Sequence, residues 1–233
     1  MLKPRKLKLN KMIKQDLQRK VQLILNDYLR SFGFNLNKGK NEFKRVDNLA
    51  EDIIGLAFFK EDDGSIFLEV RIGVYIIPIE NIYKEICLKD FKYSIVNYTL
   101  GNNIFEVIDF FESGESIGGE NVNKKFLIST NEDLLILEKV LIKRITQFAF
   151  KYFENYSTVE CVDKLLNEKP KELSIHNFIY PIRACKAIIA ARLNNNPMLS
   201  ELISIYQEEL EEANPINKKQ FITLKTYLLK NLI

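Results

Sequence analysis

Ser65–Ile77 reads SIFLEVRIGVYII, and its alternation decides the fold. Ile66, Leu68, Val70, Ile72, Val74 and Ile76 recur at every second position, with Phe67, Glu69, Arg71, Gly73 and Tyr75 between them. Successive side chains of a strand point to opposite faces, so this is a β-strand with one aliphatic face and one amphipathic face. A slip of one residue would drive Glu69 and Arg71 into the core, so the pattern also fixes which face is buried. Upstream, Glu61-Asp62-Asp63-Gly64 is a hairpin loop with glycine where positive φ is needed, and Asp52–Lys60 is the strand on its other side. Phe43–Asp47 is a further short strand, and Asn35–Asn41 a polar turn. Met12–Phe32 is a helix: Ile13, Leu17, Val21, Ile24 and Tyr28 recur at steps of three and four, and Gly33 follows as a left-handed cap.

Downstream, Pro78 opens a short helix to Ile86. Tyr93–Leu100 and Ile104–Phe111 are expected as strands, and hairpin-length connections make the sheet an antiparallel meander of about five or six strands. Glu112–Lys125 is a loop rich in Gly, Ser and Asn. From Ser129 the periodicity is helical. Ser129-Thr130-Asn131-Glu132 and Ser157-Thr158-Val159-Glu160 have capping-box spacing and open helices to about Phe153 and Asn167. Ser174–Leu193 is expected as a helix kinked at Pro181, followed by helices over Met198–Ala213 and Lys218–Leu232. The predicted class is α+β: an N-terminal helix, an antiparallel sheet, then an all-helical C-terminal half. Residues 1–128 hold the helix and sheet, and residues 129–233 pack on them as part of one continuous domain.

Composition bounds the function. A chain of 233 residues buries a core without staples. Cys87, Cys161 and Cys185 are scattered and odd in number, which suits a reduced cytoplasm better than a disulfide framework. No apolar run approaches the roughly 18 residues of a membrane span, and the basic N-terminus lacks the apolar stretch of a signal peptide. Residues 1–20 carry eight basic side chains against Asp16 alone, which leaves the remainder mildly acidic, with 26 basic and 30 acidic groups. Lys3, Arg5, Lys6, Lys8 and Lys11 therefore form a basic arm that can engage phosphate backbones or anionic lipid. No second basic patch supports it, so the arm is expected to be a solvated extension and nucleic acid is not the expected partner. The sequence sets no oligomeric state.

No phosphate-loop or dinucleotide fingerprint occurs, and a single histidine, His176, is too few for the usual catalytic zinc site; no cofactor is expected. Acid pairs such as Asp62-Asp63 and Glu208-Glu209 are expected to be solvated. Gly114-Glu115-Ser116-Ile117-Gly118 fits the G-x-S-x-G pattern of a serine-hydrolase elbow, and His176 would have to be its base. That elbow needs a strand-to-helix turn above a parallel sheet, whereas Gly119–Lys125 does not begin a helix. His176 itself is expected on the surface, in the first turn of a helix. The better candidate surface is the amphipathic face of the long strand: Phe67, Glu69, Arg71 and Tyr75. Two aromatics around an opposite-charge pair have the composition of an interface anchor, unless the terminal helices cover them.

Leu29–Val46, LRSFGFNLNKGKNEFKRV, resembles the opening of the bacterial domain-of-unknown-function 4304 family: a helix ending in Gly-Phe, a basic turn and a Phe-x-Arg strand. Phe67–Ile76 resembles its long strand, Asn97–Asn102 (NYTLGN) a later strand and turn, and the segment from Thr130 to Leu166 its helical second half. The likeness spans about residues 10–166, and the absence of tryptophan departs from it. The resemblance carries over no catalytic residue. It implies a non-catalytic bacterial protein whose partner is another protein, such as a toxin domain neutralised by an immunity-type binder.

Overall fold

The computed structural model describes residues 14–89, 98–114, 126–172, 174–177 and 179–230. The basic arm, Ser116 with most of its loop, and most of Tyr93–Leu100 lie outside the described residues. Helix α1 (Lys14–Leu29) buries Leu17, Val21, Leu25 and Leu29, the stripe its periodicity dictates. Gly33, at φ 82°, ends the short helical turn after it. Phe34 then turns into the core, its ring 6.1 and 5.9 Å from those of Phe150 and Phe153.

The sheet has six strands: β1 (Asn35–Asn37), β2 (Glu42–Asp47), β3 (Ala50–Lys60), β4 (Ile66–Ile76), β5 (Leu100–Asn103) and β6 (Phe126–Ile128). Every pairing is antiparallel, in the order β1-β2-β3-β4-β5, and β6 pairs with the start of β4. The class is therefore α+β, with an antiparallel sheet between an N-terminal helix and a helical C-terminal half. The strand β4 is the one set by the alternation, and its even-numbered residues from Ile66 to Ile76 are all buried. Along β3, Glu51, Ile53, Gly55, Ala57 and Phe59 stand opposite Tyr75, Gly73, Arg71, Glu69 and Phe67, so both strands share one outer face.

Helices pack on the inner face and on one another. These are α2 (Ile77–Ile82), α3 (Ile104–Ser113), α4 (Asn131–Arg144), α5 (Phe150–Tyr156), α6 (Val159–Asn167), α7 (Tyr180–Leu193), α8 (Leu199–Glu209) and α9 (Pro215–Lys230), with π-helical turns at Tyr83–Cys87 and Ile145–Ala149. One continuous hydrophobic core joins sheet and helices. The centre of α7 is buried on all sides from Arg183 to Ala191, as befits a helix enclosed by neighbours.

Several expectations are corrected. Ile104–Phe111 is part of helix α3, not a strand: Asn103 caps it by accepting from the Phe105 amide, and Ile104, Phe105, Val107 and Ile108 fall on one buried face. A short apolar run satisfies either period, and the cap decides. Helix α7 begins at Tyr180, so Pro181 sits in its first turn, where proline costs no hydrogen bond, and no kink is needed. Pro215 likewise starts α9. The first capping box runs from Thr130 to Asp133, one residue later than its spacing suggests; two backbone amides hold the Asp133 carboxyl below its ordinary pKa. At α6 the Thr158 hydroxyl accepts from the Cys161 amide. His176 is not a surface residue; it is 3% exposed.

Candidate binding face

The outer face of the sheet is where the four predicted residues lie, and the structure separates them. Glu69 and Arg71 form an ion pair at 2.5 Å in mid-strand, with the Arg71 side chain about half exposed. Phe67 lies toward the hairpin end, stacked on Phe59 with ring centroids 4.7 Å apart and 16° between planes. Leu127 stands opposite Phe67 in the register and is 56% exposed. These three make an apolar ridge, and the Glu61–Ser65 hairpin with Leu127 lines a shallow depression beside it. Tyr75 is at the other end, where its ring and hydroxyl engage Lys84. Glu69 and Arg71 line a cleft.

That cleft, about 510 Å³, opens on the outer face. Its floor is made by small residues: Gly55 and Ala57 on β3 flank the Glu69–Arg71 pair on β4. One wall is Tyr98, whose ring lies along Gly73 and Gly101 with its hydroxyl over Gly55. A Cβ on Gly73 would meet Tyr98 Cδ1 at 2.5 Å, and one on Gly101 would meet the Ile72 carbonyl oxygen at 2.7 Å. Glycine is required at both because ring and backbone approach so closely. Burial, reinforced by the Glu42 carboxylate, pushes the Tyr98 phenol up to about 12.

Tyr98 is positioned from beneath by a buried ion pair. Lys186 on α7 and Glu80 on α2 meet at 2.7 Å with exposures of 0% and 1%. Lys186 Nζ also donates to the Tyr98 carbonyl at 2.6 Å. Thr99 donates to Glu80 at 2.8 Å and accepts from the Ile76 amide at 2.8 Å. Burial pulls the Lys186 ammonium below its ordinary pKa, and Glu80 opposes that shift. With each charge hydrogen-bonded, the pair fixes the Tyr98–Thr99 backbone against β4.

The opposite wall is a non-helical segment, residues 174–177 and 179, with a turn at Ile175 and His176. His176 accepts from the Gly101 amide through its carbonyl at 2.8 Å, Asn102 donates to the Ile175 carbonyl at 2.7 Å, and Asn177 donates to the Thr99 carbonyl at 3.2 Å. One backbone bond and two side-chain bonds thus hold the segment along residues 99–102. The His176 ring is enclosed by Phe110, Tyr152 and Tyr156. Its Nδ1 meets the Tyr152 hydroxyl at 2.9 Å, and its Nε2 has no partner among the described residues. Burial, with the Arg183 charge adding to it, holds the imidazole down to about 3, so it is neutral at physiological pH. Ser116, the nucleophile that the hydrolase reading would need beside it, lies outside the described residues.

Sequence reasoning missed Glu42, Tyr98, His176 and Asn177 as parts of one site. Glu42 was within reach: it precedes the inward-facing Phe43, so parity puts it on the outer face. Among the described residues no group of three or more His, Cys, Asp and Glu is arranged to hold a metal ion, and no helix is long and apolar enough to cross a membrane. No protein family, curated protein or solved structure matches the chain.

Proposed function

We propose that this protein is a binding module that engages a partner protein through the outer face of its sheet. The observation that carries the reading is the partly exposed apolar ridge of Phe59, Phe67 and Leu127 running into the Glu69–Arg71 pair. An apolar anchor bordered by an exposed arginine and an acidic hairpin has the make-up of an interface centre with a polar rim. Helices occupy the inner face, so the ridge is not part of the chain's own core. Burying the ridge in a complex supplies the driving force, and the Glu69–Arg71 pair supplies orientation. The resemblance to the domain-of-unknown-function 4304 family supplies the partner class: a bacterial toxin domain that this protein neutralises as an immunity protein.

The experiment is co-expression with the product of the gene adjacent to this one, first tested for toxicity when expressed alone. Phe67→Ser and Arg71→Glu should abolish protection from toxicity while leaving the melting temperature within a few degrees of wild type, because both side chains are partly exposed. Full protection by the Phe67→Ser/Arg71→Glu double variant would overturn the assignment of this face.

A further inference from the structure

The sheet has an edge that its described strands leave open. Strand β2 pairs with β3 from Glu42 to Asp47, opposite Gly55 to Ala50, and one further bond joins the Leu56 amide to the Asn41 carbonyl at 2.9 Å. Asn41, at φ 55°, is where the chain swings in from the turn after β1. Strand β3 runs on past that point to Lys60, and there it is paired with β4 alone. In an antiparallel ladder the main-chain groups of successive residues face opposite neighbours. The Glu61 amide donates to the Ser65 carbonyl at 2.9 Å, so the odd-numbered residues of this stretch face β4 and the amides and carbonyls of Phe58 and Lys60 face the other way. No described residue bonds them on that side. Phe58 is 6% exposed, so the open row lies along the packed body of the sheet and not on a frayed end. Such a row is a template for one more extended segment.

The basic arm has the sequence to fill it. Lys6-Leu7-Lys8-Leu9-Asn10 alternates polar and apolar residues at period two, the pattern of a strand with one buried face. Only Lys11, Met12 and Ile13 separate it from the start of α1 at Lys14. That helix is tied to the end of the open edge: Gln18 and Gln22 both donate to Asn41 Oδ1, at 2.6 and 2.7 Å. Lys14 is one helical turn ahead of Gln18, about 6 Å, and three extended residues span up to about 10 Å. At the far end of the edge stand the hairpin acids Glu61, Asp62 and Asp63, so the charge that meets an arm running away from α1 is of the opposite sign.

We propose that residues 6–10 of this chain occupy the open edge of β3 as an antiparallel strand, with Leu9 opposite Phe58. Two limits set that register. Asn41 already holds Leu56, so pairing stops at Ala57, and the two leucines must share the buried face of Phe58. Asn10 is then opposite Ala57, Lys8 opposite Phe59, Leu7 opposite Lys60, and Lys6 opposite Glu61, with Arg5 beyond it toward Asp62. The main-chain groups of Leu9 and Leu7 meet those of Phe58 and Lys60, and the lysines lie on the outer face. The arm thereby closes the edge against pairing with other chains. The slot lies in the plane of the sheet, so this goes beyond the reading of the outer face and does not depend on it.

Amide hydrogen exchange of the full chain, resolved residue by residue by NMR, tests it. The amides of Leu7, Leu9, Phe58 and Lys60 should exchange at least about tenfold more slowly than in an unstructured peptide, whereas those of Lys6, Lys8 and Asn10, which point away from β3, should not. Leu9→Pro removes one of the donors and should speed exchange at Leu7, Phe58 and Lys60 by at least about tenfold, with the amides of β4 still protected. Leu7→Asp/Leu9→Asp should do the same without proline and serves if Leu9→Pro does not fold. Exchange of Leu7 and Leu9 at the rates of an unstructured peptide would overturn the proposal. So would protection of Phe58 and Lys60 that survives in both folded variants: if it rises with protein concentration, a second copy holds the edge, and if it does not, another part of the chain does.

Discussion

His176 should make the protein acid-sensitive in a window where few other groups titrate. In the folded chain its imidazole is held down to about 3, first by burial and then by the Arg183 charge; in the unfolded chain it titrates near 6.5. Below that value the unfolded state binds a proton that the folded state refuses until about 3. Stability therefore is fully present above 6.5 and is lost as the pH falls, by up to about 1.4 kcal/mol per pH unit. Between pH 7.5 and 5.0 the loss is about 2 kcal/mol, set almost wholly by the unfolded value, because pH 5.0 lies well above the folded one. The comparison is with His176→Phe, which fits an aromatic surround of Phe110, Tyr152 and Tyr156 and cannot titrate. That variant leaves the Tyr152 hydroxyl without Nδ1, an offset of about 1–3 kcal/mol that does not vary over this range because the phenol is held well above its usual pKa.

Urea unfolding followed by circular dichroism at the two pH values, for both proteins, isolates the term: carboxylate contributions shared by wild type and variant cancel in the double difference. The chain has one histidine, so no other imidazole contributes. The reasoning is refuted if His176→Phe loses as much stability between pH 7.5 and 5.0 as wild type does. An imidazole proton resonance that titrates near 6.5 in the folded protein would refute it independently.

Two further substitution sets test how the cleft wall is built. Gly73→Ala and Gly101→Ala should each cost about 1–3 kcal/mol by chemical denaturation. Gly101→Ala should be the worse, because its Cβ would meet a backbone carbonyl, whereas the Tyr98 ring can shift. Equal or negligible effects would mean that Tyr98 does not rest on the glycines. Lys186→Met should cost about 3–5 kcal/mol, since it strands Glu80 in the core, and adding Glu80→Leu should recover most of that loss. A double variant no more stable than Lys186→Met would show that the pair matters through its hydrogen bonds to Tyr98 and Thr99 rather than through charge.

The sheet was legible because its period is strict. SIFLEVRIGVYII allows one strand and one buried face, and the hairpin before it allows one partner. The order of elements then places the helices after the sheet. What misled was the short apolar run Ile104–Phe111, where strand and helix both bury the same residues. The side-chain cap from Asn103 resolves it, and a lone Asn is too common to decide that from sequence. Pro181 misled for a similar reason: proline inside a periodic run reads as a kink only if the helix begins before it. Here the described residues before Tyr180 are not helical, and the Ile175 and His176 carbonyls accept from the Asn102 side chain and the Gly101 amide of β5.

The cleft was half legible, and its clearest sign was a residue that breaks the pattern. Gly73 sits in the middle of a strand whose other positions all carry large side chains, where it weakens the strand and contributes none. A glycine there marks a place where something else must come close, and on the outer face it pairs with Gly101 and lies near Gly55. The alternation of Glu42, Lys44 and Val46 outward against Phe43 inward adds the carboxylate to the same face. Together these locate a shelf and a charge. They cannot supply the wall, because Tyr98 is placed by Lys186 from α7, and the facing segment by hydrogen bonds to β5, contacts between distant parts of the chain that no local period encodes. Strand parity sets which residues face the cleft; the buried Lys186–Glu80 pair, by fixing the backbone that carries Tyr98, sets whether there is a cleft for them to face.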